Sequence, residues 1–251
     1  MRTILLFTVL GIFFIVTFPV YLILLLLRKK NRRLSSVISQ KLVRYGFWLV
    51  TRPSGMKNVV LGLENVPPDT AVLYVSNHRS LADIPVVYMS VPNLTGFVAK
   101  IETKKAPFLS WWMVLVNCLF LDRSDMRAGM KMILDAIDSI KQGYSIFIAP
   151  EGTRNQGAEL LPFKEGSFKI ADKTNCPIIP VAISGTDDVF ENSAPWIKKA
   201  TTVIEYGKPV YPEQLSKEER KAMGSYCRDI ITEMLKGHGQ YIANNPSQRK
   251  K

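Results

Sequence analysis

Ala71-Val72-Leu73-Tyr74-Val75-Ser76-Asn77-His78-Arg79-Ser80-Leu81-Ala82-Asp83-Ile84-Pro85 is the stretch that decides the fold. Ala71–Ser76 is a short apolar run, which reads as a strand. Pro85 is tolerated in the first turn of a helix and not deeper, so a helix begins close to Asp83. A strand that passes through a polar loop into a helix is the repeating unit of an α/β sheet. Loops at the carboxyl ends of such strands are common places for chemistry. His78 lies in this loop, five residues before Asp83. On one continuous helix their side chains would diverge by about 140°. With the helix starting between them, Asp83 sits at or near its N-cap and can accept a hydrogen bond from one imidazole nitrogen. The other nitrogen is then free to take a proton. Spacing alone leaves open an Asp83 that only caps a helix beside an unrelated loop histidine.

Further strands are expected at Leu94–Ala99, Cys118–Leu121, Ser145–Ala149, Ile178–Ser184 and Thr202–Tyr206. Met130, Ile133, Ile137 and Ile140 fall on one helical face between them, and Met223, Tyr226, Ile230 and Met234 continue a second stripe behind a capping box at Ser216 and Glu219. Strands alternating with helices imply an α/β domain with a mixed, largely parallel sheet flanked by helices. Pro53, Gly55, Pro67 and Pro68 mark a turn-rich entry to it. The second histidine, His238, stands between Gly237 and Gly239, where a helix-terminating loop is expected. The polar, basic tail after Ala243 is expected to be disordered.

Ser145–Ala149 runs into Pro150-Glu151-Gly152-Thr153-Arg154-Asn155. Gly152 permits unusual dihedrals or close approach of a ligand. Thr153 offers a hydroxyl, and Arg154 a guanidinium that can grip a phosphate through two parallel N–H groups. Arg123 and Lys164 are further candidate donors. An ordinary turn with a Glu151–Arg154 surface pair accounts for the same residues.

Ile4–Leu27 carries no charge and is followed by Arg28, Lys29, Lys30, Arg32 and Arg33. About 20 apolar residues cross a bilayer as a helix, and a basic flank of this kind stays on the cytoplasmic side. The run exceeds the apolar region of a signal peptide, so an uncleaved anchor is expected, with Pro19 a possible kink. Leu34, Val37, Ile38, Leu42, Tyr45, Trp48 and Leu49 then recur at helical spacing. This amphipathic stripe fits packing on the domain as well as a place in the membrane interface. The segment organisation expected is residues 1–52 as a membrane-associated helical unit, 53–243 as the catalytic domain and 244–251 as a tail.

The 251-residue chain has a formal net charge of +12, which suits an anionic partner. The basic residues are spread out and follow an apolar N-terminus, so membrane lipid is expected and nucleic acid is not. Cys118, Cys176 and Cys227 are scattered, without metal-ligand or disulfide spacing, so reduced core cysteines and no metal are expected.

Four blocks taken together resemble the glycerolipid acyltransferase family, most closely its lysophosphatidate (1-acylglycerol-3-phosphate) members. They are N-H-x-x-x-x-D at Asn77–Asp83, F-x-x-R at Phe120–Arg123, E-G-T-R at Glu151–Arg154, and a proline block at Cys176–Val181. They stand in family order, and a Pro-Phe-Lys-x-Gly element at Pro162–Gly166 follows the third. The resemblance covers roughly Leu73 to Gly185. It implies direct transfer of a fatty acyl chain, from a thioester of acyl carrier protein or coenzyme A, to the sn-2 hydroxyl of 1-acyl-sn-glycerol 3-phosphate, giving phosphatidate. His78 is the implied general base and Asp83 its orienting partner. Glu151, Gly152, Thr153 and Arg154, with Arg123 and Lys164, are the implied substrate-binding residues. No cofactor and no acyl-enzyme are implied, and the site faces the cytoplasmic side of the cell membrane. Other acceptors remain open: glycerol 3-phosphate, another lysophospholipid or a lyso-aminolipid. So does a non-catalytic, lipid-binding adaptor. Ala149, where the family often has Phe, and Asn117, where the second block often begins with Gly, are departures that bear on acceptor fit.

Overall fold

The computed structural model describes residues 2–244. Two long helices, α1 (Arg2–Lys30) and α2 (Arg32–Ser54), precede a seven-stranded sheet. The strands are β1 (Lys57–Leu61), β2 (Leu73–Ser76), β3 (Thr95–Lys100), β4 (Leu119–Leu121), β5 (Ser145–Ile148), β6 (Ile178–Ser184) and β7 (Thr201–Tyr206). Their spatial order is β1-β7-β6-β2-β5-β3-β4. Every neighbouring pair is parallel except β6 with β7. The remaining helices are α3 (Asp83–Ser90), α4 (Leu109–Leu115), α5 (Met126–Lys141), α6 (Lys169–Thr174), α7 (Lys217–Lys221) and α8 (Met223–Asn244). This is the mixed, largely parallel α/β sheet that the strand–helix alternation implies.

Side chains alternate across the pleat, so the central strands supply two cores at once. Leu73, Val75, Ile146, Ile148, Ile178 and Ala182 face α5, α6 and α8. Tyr74, Phe147, Ile179, Val181 and Ile183 face α2 and α3. All four residues of β2 and of β5 are buried, which makes their carboxyl ends the rigid centre of the molecule.

α1 and α2 form an antiparallel hairpin that turns at Asn31, whose side chain caps α2 by accepting the Leu34 N–H at 2.9 Å. Ser35 donates to the Leu24 carbonyl, and a methyl at Gly46 would lie 2.8 Å from the Phe13 ring, so small residues set the close approach. α1 is long and apolar enough to cross a membrane by length and composition, and it leaves Ile4, Phe7, Ile15, Val16 and Leu26 exposed. Its first turn touches the β6–β7 connection, where the Ile197 N–H donates to the Thr3 hydroxyl at 3.0 Å. Its last turn touches the domain through Arg28, which donates to the Leu115 carbonyl at 3.1 Å, so α1 lies along the domain instead of standing off it as a spanning anchor.

Several expectations are corrected. α2 runs through Pro53 to Ser54 and ends at Gly55, whose positive φ of 74° suits a glycine C-cap. β1 then lies inside the stretch read as turns. Its Lys57-Asn58 start hides it, and pairing with β7 makes it an edge strand. The α2 stripe splits: Ile38, Leu42, Val43 and Phe47 pack inward, whereas Leu34, Tyr45 and Trp48 are exposed. On α5, Met130 faces outward and Met132 takes its place with Ala136, Ile137 and Ile140. Asn117 is tied to the hairpin. It holds φ at 60°, its Oδ1 accepts from Arg28 and Arg32, and its Nδ2 donates to Ser36. The capping box at Ser216 and Glu219 is present. His238 is not in a loop, because α8 continues through both glycines to Asn244. Each glycine costs a helix about 1 kcal/mol, and the buried contacts of His238 offset this. The tail beyond Asn244 lies outside the described residues.

Candidate active site

The β2–α3 loop brings His78 and Asp83 together, with Nδ1 to Oδ2 at 2.7 Å. Asp83 is the first residue of α3, where the positive end of the helix dipole favours a carboxylate. Its Oδ2 also accepts the backbone N–H groups of Arg79 and Ser80, at 2.9 and 3.0 Å. Its Oδ1 accepts the Thr186 hydroxyl at 2.5 Å. Four donors therefore converge on a carboxylate that can only accept. That fixes the proton of His78 on Nδ1 and leaves the Nε2 lone pair open. Asp83 is 3% exposed at its side chain and His78 is 21% exposed, so the pair is held from beneath and open above.

The loop is also held by its backbone. The Asn77 side chain exchanges two hydrogen bonds with the Ile183 backbone, both at 2.9 Å, which extends the β2–β6 ladder by one residue. The Glu151 carboxylate, in the loop after β5, accepts the His78 N–H at 2.9 Å through Oε1. Its Oε2 accepts from the Asn155 side chain and the Leu161 N–H. Glu151 thus has both oxygens engaged by the protein, an arrangement that ties the two loops together. Asn155 N–H donates to the His78 carbonyl at 2.8 Å, a second tie between them.

Gly152 has a φ of 75°, and a side chain there would meet Lys164 Nζ at 2.8 Å, so the glycine lets Lys164 lie across the turn. Thr153 is exposed beside it. Arg154 is half-exposed, with Nη1 3.0 Å from Glu191 Oε1. Arg123 is not brought to this cluster. It is exposed after β4, the outermost strand, three strand spacings or roughly 14 Å across the sheet from β2.

Three residues of this site escaped the sequence reading, all in the connection between β6 and β7. Thr186 holds Asp83. Asp187 takes the Arg79 guanidinium through Nε and Nη2, at 3.1 and 2.8 Å. Glu191 accepts both the Leu81 N–H, at 2.9 Å, and Arg154. The available signal was Gly185-Thr186-Asp187 at the carboxyl end of β6, the same topological position as the His78 loop. Among the described residues no three His, Cys, Asp or Glu side chains gather as metal ligands. Burial pushes the Cys118 and Cys227 thiols up to about 12 and raises that of Cys176, so all three are poor nucleophiles at neutral pH.

Comparison with known proteins covers the same ground. A 1-acyl-sn-glycerol-3-phosphate acyltransferase of Borreliella burgdorferi is 29% identical over 203 residues, covering 81% of this chain and 80% of the relative. One from Saccharomyces cerevisiae is 30% identical over 194 residues, covering 76% and 64%. A chloroplastic one from Brassica napus is 34% identical over 157 residues, covering 62% of this chain, so that this chain spans about half, 45%, of its length. The crystal structure of the 1-acyl-sn-glycerophosphate (LPA) acyltransferase PlsC from Thermotoga maritima superposes with a TM-score of 0.72 at 28% identity, over 95% of this chain and 98% of that one. The Acyltransferase family model matches residues 57–184, a span that takes in both the His78–Asp83 pair and the loop that holds it. With half the sequence matched and the pair assembled inside the match, this chain belongs to the acyltransferase family.

Proposed function

We propose that the protein transfers a fatty acyl chain from an acyl carrier protein or coenzyme A thioester to the sn-2 hydroxyl of 1-acyl-sn-glycerol 3-phosphate, giving phosphatidate. The observation that carries this is the His78–Asp83 pair, whose Nε2 is left open by four donors gathered on Asp83. Nε2 takes the hydroxyl proton as the oxygen attacks the thioester carbonyl. The tetrahedral adduct then expels the thiolate, which recovers that proton from the imidazolium. Asp83 keeps the ring oriented and stabilises its charge. No acyl-enzyme is formed, in keeping with thiols held protonated by burial.

Arg154 holds the acceptor phosphate, supported by Gly152, Thr153 and Lys164 around the turn. Glu151 acts through the backbone of His78 and so positions the base. Anchoring the remote phosphate orients the hydroxyl and lowers the entropic part of the barrier. Arg123 is a further candidate donor to the acceptor. The acceptor chemistry is supported by the relatives, several of which are named for 1-acyl-sn-glycerol 3-phosphate.

The site works at the cytoplasmic face of the cell membrane. α1 touches the domain at both ends, through Thr3 and Arg28, so its exposed apolar face supports attachment to the membrane along its length rather than a span, and the Arg28–Arg33 cluster supports an anionic lipid surface. The protein is expected to stay with membranes through an alkaline wash and to leave only with detergent; an intact chain in the soluble fraction would contradict it. The reaction itself is tested with purified protein, each thioester donor being paired with lysophosphatidate, glycerol 3-phosphate and a lysophosphatidylcholine. Phosphatidate should form fastest. A preference for another acceptor, or lipid binding without turnover, would overturn the assignment.

A further inference from the structure

Glu191 lies beyond the matched family region and touches both halves of the candidate site. Its side chain is 8% exposed, and Oε1 accepts the Leu81 N–H from the catalytic loop at 2.9 Å and Arg154 Nη1 at 3.0 Å. Its Oε2 is buried without a partner among the described residues. A buried carboxylate with one idle oxygen is costly to keep, so its placement calls for a reason other than stability.

Two roles are possible in principle. Glu191 can mask Arg154 as a stand-in for phosphate, or it can aim Arg154 for phosphate. The geometry decides between them. A mask would occupy the edge of Arg154 that grips phosphate, yet Glu191 is pinned to Leu81 and meets only Nη1. Arg154 is the exposed member, at 46%. Its guanidinium uses Nη1 on Glu191, and no described residue takes the edge formed by Nε and Nη2. That edge carries two parallel N–H groups, the fork that grips a phosphate.

We propose that Glu191 is the positioning residue for the acceptor-phosphate subsite, holding one arm of Arg154 so that the opposite edge faces the phosphate of the acceptor. The same oxygen receives Leu81 N–H, so the phosphate grip is registered to the loop that carries His78. The distance from phosphate to base is thereby fixed through one carboxylate oxygen. This rests on the proposed acceptor chemistry and adds the group that gives it its geometry. It implies that reach matters at position 191, and formal charge does not.

The test separates the two by steady-state kinetics of wild type, Glu191→Gln and Glu191→Asp, with lysophosphatidate and the thioester donor varied in turn. Gln keeps the reach and the accepting oxygen and loses the charge. Asp keeps the charge and is one methylene short. Glu191→Gln should keep acceptor kcat/KM within about twofold of wild type or above it. Glu191→Asp should lose about tenfold, the scale of one hydrogen bond to a charged group, chiefly in acceptor KM. Donor KM should not change in either. Adding Arg154→Ala should abolish the difference between the two variants. Thermal melts check that both are folded; if the Asp variant is not, Glu191→Ala takes its place, with a rise in acceptor KM expected and an unchanged acceptor KM overturning the proposal. A tenfold loss in Glu191→Gln, or a gain of acceptor affinity in Glu191→Asp, overturns the proposal. A wild type without transfer to lysophosphatidate refutes the acceptor assignment instead, and the two failures are distinguishable on one plate.

Discussion

The molecule has two histidines, and both touch a carboxylate. His78 meets Asp83 at 2.7 Å and His238 meets Glu205 at 3.1 Å. The environments are opposite. His78 stands on a loop at the centre of the sheet, partly exposed, with one nitrogen engaged and the other open. His238 is buried to 2% inside α8, with Nε2 on Glu205 and Nδ1 receiving the Ser184 hydroxyl at 2.9 Å. A histidine beside an acid is therefore not enough to make a base. What makes one is a partner already saturated with donors, so that the tautomer is fixed, together with a second nitrogen that a substrate can reach. His238 has neither, and acts as a pin between the last helix and the ends of β6 and β7.

The comparison breaks most sharply at Asp83, the carboxylate proposed to orient the base. Asp83→Asn keeps the shape but lets the imidazole adopt the wrong tautomer, and should lower turnover by about 10²- to 10⁴-fold. The same change at the other pair, Glu205→Gln, should leave turnover within about threefold, since that histidine meets no substrate. A comparable fall in both variants, measured as phosphatidate formed, would erase the distinction.

Arg154→Lys comes next. It keeps the charge and loses the paired donors, so acceptor kcat/KM should fall by about 10- to 100-fold while donor KM stays put. A rise in donor KM with the acceptor spared would move this residue to the acyl-carrier side.

A smaller effect belongs to His238. Burial holds its imidazole below the usual value near 6.5, against the opposing pull of Glu205. The unfolded chain then takes up the proton first. The stabilising contribution is complete above about pH 6.5 and is lost as pH falls through the lower folded value. Melting temperature should drop on acidification by a few degrees more in wild type than in His238→Gln. Parallel slopes would show that the pin carries no proton linkage. The smallest effect is expected from replacing all three cysteines by Ser or Ala, which should leave the rate of the folded protein unchanged. A large loss there would reopen thiol catalysis.

The contrast between the two histidines also marks where local sequence stops being informative. His78 and Asp83 are five residues apart, and Pro85 fixes where the helix starts, so their meeting is a local matter and legible. The central strands β2, β5 and β6 were legible for the same reason: their burial on both faces demands continuous apolar runs. The rest of the site is built across distance. Thr186, Asp187 and Glu191 reach partners 103, 108 and 110 residues earlier in the chain, and no periodicity encodes such contacts. His238 misled because two glycines normally end a helix, whereas α8 runs on to Asn244 with His238 in contact with Ser184 and Glu205. β1 was hidden by its polar start and its place at the sheet edge. Asn117 looked like a change in the acceptor pocket, and only folding shows it receiving two arginines of the helical hairpin.

The most direct test puts His78→Ala, His238→Gln and wild type side by side, each folded and in membranes, and measures phosphatidate formed from lysophosphatidate and an acyl thioester. The account predicts loss of turnover to background in His78→Ala and near-normal turnover in His238→Gln. Near-normal turnover in His78→Ala would contradict it.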